Sequence, residues 1–396
     1  SIGIEISEML TCGDQRQEIL AAVAYCYQKY PIVILTGGLG PTADDLTKEC
    51  LEAFYGGGMQ LVEEVDNHLA SFFSKRNRVY SEINRTQAIL PSRCIPLMNH
   101  WGTAPGMLFL NQNHFLVSLP GVPVEMKNLM DSEVLPKLKL RFKLHPIYHK
   151  TYHTEGIPES ELMRRLESWE AHLPDDIKLA YLPSAGAVRL RLSSANQDGQ
   201  AEARIRSLEP GLHQCIPGEI FGYNEQTLAG VIRDIFTKKG LTLATAESCT
   251  GGNIAHLLTL EPGISSVYLG GMVSYDNSIK INRLGVNPEH FHTVGAVSEQ
   301  VVMEMAEGIR RFSGADFAIA TSGIAGPGGG TPEKPVGTVW IAWAGPEETL
   351  TRCYQFAGDR AGIIHRSSLC ALNILRKFVL DLEMKPSFWD VTRPFN

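Results

Sequence analysis

The sequence predicts an α/β protein: two three-layer α/β domains with largely parallel sheets, joined by a small α+β module. Three observations carry that prediction. Both ends of the chain alternate helix-period segments with short apolar strands, PIVILTGG toward one end and LTLATA toward the other. The stretch between about 146 and 223 breaks this alternation, because Val188 to Leu192 alternates with period two and suggests an antiparallel strand pair. At 396 residues, the chain is long enough for two or three cores. The expected domains are 1–145, 146–223 and 224–385, with a tail at 386–396.

In order along the chain, GIEISEMLTCGD reads as a strand and turn, QRQEILAAVAYCYQKY as an amphipathic helix and PIVILTGG as a buried strand. Past the loop GLGPTADD come helices in LTKECLEAFY and VDNHLASFFSKRN, strands in QAILP and HFLVSLPG, and the helix EMKNLMDSEVLPKL. The middle module holds the strand YHKTYHTEG, the helix ESELMRRLESW, the strand pair IKLAYLPSAGAVRLRLSSAN, the helix QAEARIRSLEPGL and the strand-like QCIPGEIFGY. From Asn224, TLAGVIRDIFTKKG, GGNIAHLLTL, SIKINRLG, SEQVVMEMAEGIRRFSG and RAGIIHRSSLCALNILRKFVL read as helices. LTLATA, YLGGMVSY, FAIATSG and VGTVWIAWAG are the strands between them. The tail after Lys385, rich in proline and aromatics, is expected to wrap or fray.

A net charge of -7 offers no general attraction for nucleic acid, so small molecules and proteins are the better partners. No apolar run approaches the roughly 18 to 20 residues that span a bilayer, and a cytoplasmic, non-membrane protein is expected. The 8 cysteines are scattered, with no C-x-x-C pair, and read as reduced, mostly buried thiols.

Two regions carry chemistry. In ILTGGLGPTADDLT, glycines follow a buried strand, letting backbone N–H groups approach an anion such as a phosphate, while Thr42 or Asp44 can cap the next helix. Asp44 and Asp45 offer two oxygens to a divalent cation, although paired acids at a helix start also serve as plain caps. In ATAESCTGG, Ser248 and Cys249 lie in the turn between a strand and a helix, where unpaired N–H groups collect and can stabilise an oxyanion. On that geometry alone, Ser248 or Thr250 as a simple N-cap is the plainer reading. A serine nucleophile needs a base, and Lys280 is a candidate. It follows the strand ending at Tyr275, and strand ends of a parallel sheet gather on one edge. Asp276 or Asn277 can cap that helix. A partly dry lysine there would have a lowered pKa, whereas a solvated one would be a surface charge. The Gly/Pro loop in TSGIAGPGGGTPEKPVGTVWIA is suited to closing over a ligand, and Arg360 in FAGDRAGI can pair with phosphate.

With NRTQAILP, NHWGTAPG and LPGVPVEM, the first region resembles the N-terminal domain of the CinA family, related to the MoaB/MogA molybdopterin-binding fold. That resemblance implies a nucleotide or pterin site at Gly37, Gly38, Gly40, Thr42, Asp44, Asp45, Asn84, Arg85, Thr103 and Glu125. It also implies, in some members, ADP-ribose hydrolysis with a divalent metal, Mg²⁺ or Co²⁺, for which Asp44 and Asp45 are the candidate ligands. Family members carry a strand, a Gly-Asp-Glu stretch and a long helix before the segment matching GIEISEMLTCGD, where this chain has only Ser1 and Ile2.

TAESCTGG, GxSS at Gly263 to Ser266, VSYDNSIK, AVSEQ, TSGIAGPGGG and GDR together resemble the C-terminal CinA domain, the PncC nicotinamide mononucleotide amidohydrolase. This implies deamidation of nicotinamide mononucleotide without a cofactor. Ser248 would be the nucleophile, Lys280 its base and Tyr275 an assisting residue. Thr250, Gly251, Gly252, Ser266, Ser322, Gly323 and Arg360 would contact substrate, and N–H groups near Gly251 and Gly252 would hold the oxyanion. Cys249 would point into packing. A homodimer is also expected, and the alternative function is a non-catalytic nucleotide or pterin-binding scaffold. The middle module resembles a KH-like domain but shows no GXXG loop with a basic flank, so nucleic acid is not an expected partner. His145, His149 and His153 have helical metal-site spacing. Pro146 and the β-favouring residues around them argue for a strand instead.

Overall fold

The computed structural model describes residues 2–42, 44–145, 147–184, 187–196, 198–382 and 390–391. The chain divides into two units, 1–146 and 147–396.

The first unit runs α1 (Arg16–Lys29), β1 (Ile32–Thr36), α2 (Thr47–Tyr55), β2 (Met59–Leu61), α3 (Glu63–Ser74), α4 (Glu82–Arg85), β3 (Ile89–Pro91), β4 (Ile95–Leu97), β5 (Gly106–Leu110), β6 (Phe115–Leu119), α5 (Pro123–Leu129) and α6 (Leu135–Arg141). Its sheet has the order β1-β6-β5-β4, with β1 and β6 parallel and the other pairs antiparallel. Val33, Met107, Phe109 and Leu116 on one face pack with α1, α2 and α3. Leu97, Leu108, Phe115, Val117 and Leu119 on the other pack with α5 and α6, giving the expected three layers. Alternation of side chains along each strand feeds both cores at once.

Three expectations are corrected in this unit. Residues 3–12 form no strand. Ile2 and Ile4 rest against the α5 and α6 core, Ile6 and Met9 face outward, and Glu8 accepts hydrogen bonds from Tyr30 Oη (2.6 Å) and Lys29 Nζ (3.0 Å). Side chains therefore help hold this segment in place. Gly106–Leu110, to which the pattern assigns no element, is β5, turned into β6 by an Asx turn in which Asn111 Oδ1 accepts from Asn113 N (2.9 Å) and His114 N (2.7 Å). Neither Thr42 nor Asp44 caps a helix, because α2 begins only at Thr47, after Leu46.

The second unit opens with β7 (Tyr148–Glu155), α7 (Glu159–Glu170), β8 (Ile177–Ser184), β9 (Ala187–Ser194), α8 (Ala201–Cys215) and β10 (Ile220–Tyr223), an antiparallel β10-β7-β9-β8 sheet sharing one core with α7 and α8. His149 and His153 lie on β7, as the β-favouring neighbours predict. His149 Nδ1 meets Ser193 Oγ at 2.7 Å and His153 Nε2 meets Asn224 O at 2.6 Å.

It continues with α9 (Leu228–Lys239), β11 (Leu243–Glu247), α10 (Asn253–Thr259), β12 (Tyr268–Val273), α11 (Asn277–Leu284), α12 (Glu289–Thr293), α13 (Glu299–Ser313), β13 (Phe317–Gly323), β14 (Thr338–Ala344), β15 (Thr349–Gln355) and α14 (Arg360–Val379). The sheet order is β12-β11-β13-β14-β15, parallel through its first three strands and antiparallel beyond. One face carries Leu243, Ile319, Val339, Ile341 and Trp343 against α9, α10 and α14. The other carries Ala244, Ala246, Ala318, Ala320, Ala342 and Ala344, which lets α13 approach closely. The crossover after β11 lies on the first face and the one after β12 on the second, so the carboxyl ends of these neighbours flank a topological switch point. Strand β15, unassigned from the pattern, is a partly polar edge strand. Of the tail, Asp390 and Val391 are described. Buried Asp390 bridges to Tyr354 and pairs with Arg352 at 2.6 Å, and the rest of 386–396 lies outside the described residues.

The middle module and the C-terminal sheet belong to one unit because polar groups are buried between them. Glu155 of β7 accepts from Asn373 Nδ2 of α14. Arg376 Nε donates to Asn373 Oδ1 (3.0 Å), and its NH2 group donates to Gly218 O (2.7 Å). Burial raises the Glu155 carboxyl to about 7 and lowers the Lys377 ammonium.

Candidate functional site

Strand β11 delivers Ser248 directly to the switch point, its N–H donating to Thr321 O at 3.0 Å. The neighbouring residue turns the other way. Cys249 is 6% exposed within the main core, and burial pushes its thiol up to about 12. Ser248 is half-buried, and among the described residues its Oγ makes no hydrogen bond.

Strand β12 ends opposite, and Asp276 caps α11 by accepting from Ser278 N at 2.8 Å, as one of the two predicted caps. This first turn aims Lys280 inward. Its side chain is 1% exposed, and Nζ donates to Tyr275 O at 2.9 Å and Asn277 Oδ1 at 3.5 Å. Burial lowers its pKa below the ordinary value, against the opposing pull of Asp276 and of Cys249, whose thiol is near enough to interact with it.

Arg360 joins the remaining motifs. One guanidinium NH2 group donates to Gly326 O of the Gly/Pro loop at 2.6 Å, the other to Tyr275 Oη at 3.1 Å. Tyr275 is 61% exposed, so this edge is open to a ligand. Asp359, accepting from Gly362 N at 2.8 Å, caps α14 and fixes where Arg360 emerges. The Gly/Pro loop is pinned by Lys334 Nζ, which donates to Val294 O and Val297 O, both at 2.7 Å. Gly323 ends β13 on the same edge. Ser248, Lys280, Tyr275, Gly323 and Arg360 thus gather where four motifs meet.

Three expected hydroxyl contacts and two expected amide donors are engaged within the fold or placed away from Ser248. Thr250 is 2% exposed and its Oγ1 pairs with Thr321 Oγ1 at 2.7 Å. Ser322, 1% exposed, donates to Ala296 O at 2.7 Å. Both hydroxyls are used inside the fold. Ser266 precedes β12, whose first residue Tyr268 pairs with Leu243 at the start of β11. At the rise of a strand, it lies about 15 Å from the Ser248 end. The N–H groups of Gly251 and Gly252 are taken, donating to Ser248 O (3.1 Å) and Glu247 Oε2 (3.0 Å). Glu247, which sequence reading missed, is 1% exposed. An acid ending an otherwise apolar strand was the signal for it.

In the first unit, the loop after β1 carries Gly37, Gly38, Gly40, Thr42, Asp44 and Asp45. Gly38 has φ +67°, and a Cβ there would stand 2.2 Å from Thr47 Oγ1, so only glycine fits. A Cβ on Gly121 would lie 3.3 Å from Gly37 Cα, which joins this loop to the one after β6. Glu125 accepts from Asn99 Nδ2 at 2.7 Å, bringing α5 to the loop that holds Thr103. Lys48 Nζ donates to Thr86 O at 3.0 Å, tying α2 to the segment bearing Asn84 and Arg85. Asn84 Oδ1 is occupied by Ser81 Oγ (2.6 Å), and Arg85 pairs with Asp66 at 3.4 Å. The Asp45 carboxylate folds back onto Thr42. Among the described residues, no group of three or more His, Cys, Asp or Glu side chains could hold a metal ion. Two acids suffice for Mg²⁺ only with phosphate oxygens and water completing its shell. Among them, too, no helix is long and apolar enough to cross a membrane.

Residues 225–379 match the family model described as CinA C-terminal domain, residues 1–140 that of a "Probable molybdopterin binding domain", and residues 149–222 that of the damage-inducible protein CinA KH domain. A CinA-like protein of Cytophaga hutchinsonii is 41% identical over 377 residues, covering 95% of this chain and 90% of the relative. One from Flavobacterium psychrophilum is 41% identical over 382 residues, covering 96% and 91%. The solved structure of the competence/damage inducible protein CihA from Agrobacterium tumefaciens is 44% identical, covering 38% of this chain and 92% of its own, with a TM-score of 0.37. Matched along nearly its whole length, the chain belongs to the CinA family.

Proposed function

We propose that the C-terminal domain hydrolyses the carboxamide of nicotinamide mononucleotide, giving nicotinate mononucleotide and ammonia. The observation that carries this reading is Lys280, an amine 1% exposed with a lowered pKa, beside the turn that presents a half-buried Ser248. Ser248 Oγ attacks the carboxamide carbon as its proton passes to the neutral Lys280 amine. The tetrahedral intermediate collapses, Lys280 returns that proton to the departing nitrogen, and ammonia leaves an ester on Ser248. Water, deprotonated by the same amine, then releases the carboxylate and restores the hydroxyl. Arg360 and the Gly326–Gly330 loop engage the 5′-phosphate.

Ammonia release from nicotinamide mononucleotide tests this. Wild type should turn over, and Ser248→Ala and Lys280→Ala should each lose at least about a hundredfold in rate, the scale of general acid–base help. Turnover surviving in either variant overturns the assignment.

The match to a molybdopterin-binding model favours a second reading for the first unit, a nucleotide or pterin site at the loops after β1 and β6. Asp44 and Asp45 would hold a divalent ion there together with ligand phosphate. ADP-ribose cleavage by the whole chain with Mg²⁺ or Co²⁺ distinguishes a hydrolase from a binding scaffold.

A further inference from the structure

Glu247 has the most constrained carboxylate at the switch point. Its backbone is locked on both sides, in register with Val273 of β12 and Thr321 of β13, and its carbonyl accepts from Ser274 N at 2.8 Å. The side chain then reaches under the following turn. Oε2 accepts from Gly252 N and Ile254 N, both at 3.0 Å, and Oε1 from Ala255 N at 2.8 Å. Three donors on one carboxylate satisfy its buried oxygens and fix the path of the chain from Ser248 to Ala255.

The amides left over matter as much. Gly251 N is spent on Ser248 O, and Asn253 N on Thr250 O at 3.0 Å. Between Ser248 and Ala255, only the N–H groups of Cys249 and Thr250 donate to no other described residue. These two directly follow the hydroxyl proposed to attack.

We propose that Glu247 is a positioning residue, clamping the turn so that the Cys249 and Thr250 amides, instead of those of Gly251 and Gly252, receive the oxyanion formed on the carbonyl attacked by Ser248. The oxyanion half rests on the deamidase reading, whereas the clamp does not.

Two variants and two measurements test it. Glu247→Gln keeps the shape but turns an NH2 group toward backbone donors, and Glu247→Asp keeps the charge but falls short of the three amides. Both should speed amide hydrogen exchange in the 248–255 segment. Both should lower kcat about 10- to 100-fold, approaching the loss seen when one oxyanion donor is removed, with KM for nicotinamide mononucleotide within about threefold. A purely electrostatic role predicts the opposite for Glu247→Gln, a faster reaction once a negative charge near the oxyanion is gone. Unchanged exchange in both variants overturns the clamp, whatever the kinetics show. Faster exchange with kcat unchanged or raised overturns the oxyanion assignment. If wild type releases no ammonia, the deamidase reading and the oxyanion half fall together, and exchange alone decides the clamp.

Discussion

Ser248 and Cys249 are adjacent in sequence and opposite in environment. A thiol at about 12 is almost wholly protonated at neutral pH, so its greater intrinsic nucleophilicity is not expressed. Cys249→Ala is therefore expected to keep most ammonia-releasing activity, measured beside Ser248→Ala, which should keep almost none. For Lys280 the reactive form is the neutral amine, whose fraction grows as pH rises through its pKa. Burial lowers that pKa from 10.5, so kcat/KM should climb with pH and reach half its plateau below 10.5. A limb centred at or above 10.5 would mean the amine is solvated during turnover. The sequence motifs already place the serine, lysine, tyrosine and arginine toward one sheet edge, since each follows a strand end or lies in the first turns of the next helix. They could not reveal which hydroxyls face inward. Thr250 and Ser322 look like ligands in the sequence and are internal hydrogen-bond partners in the fold.

Helix α11 owes its place to α13, and the contact is unusually close at one residue. A Cβ on Gly308 would stand 2.0 Å from Leu284 O, a backbone atom at the end of α11 that cannot swing aside. In an exposed helix, glycine to alanine stabilises by about 1 kcal/mol. Here the sign should reverse. Gly308→Ala is expected to cost roughly 1 to 3 kcal/mol, the usual range for overpacking, read as a lower denaturant midpoint at unchanged slope. Because α11 carries Lys280, ammonia release should fall with it. Long periodic helices such as α13 and α14 were legible from spacing alone. Strand β5 escaped notice because its partner is reached through four polar residues, Asn111 to His114, and β15 because its edge position tolerates Thr349, Thr351 and Arg352.

Across the second unit, the middle module and the C-terminal sheet are joined by Glu155, whose pKa rises from 4.5 to about 7. The folded state therefore binds this proton more tightly than the unfolded chain does. Its contribution to stability is fully present below about 4.5 and is lost as pH rises through about 7. Comparing denaturant midpoints at several pH values in wild type and Glu155→Gln should show that this slope disappears in the variant. A slope retained in Glu155→Gln would assign it elsewhere. None of this coupling was visible in the sequence, where Glu155 and Asn373 lie far apart and each resembles an ordinary surface polar residue.

Helix α14 begins at the guanidinium on the open edge and finishes among the buried Asn373, Arg376 and Lys377, a stiff strut about 30 Å long. Trimming away residues 147–223 would leave its far end bare, with Arg376 deprived of Gly218 O, Asn373 of Glu155, and Lys377 of the two carboxylates, Glu155 and Glu219, that attract it.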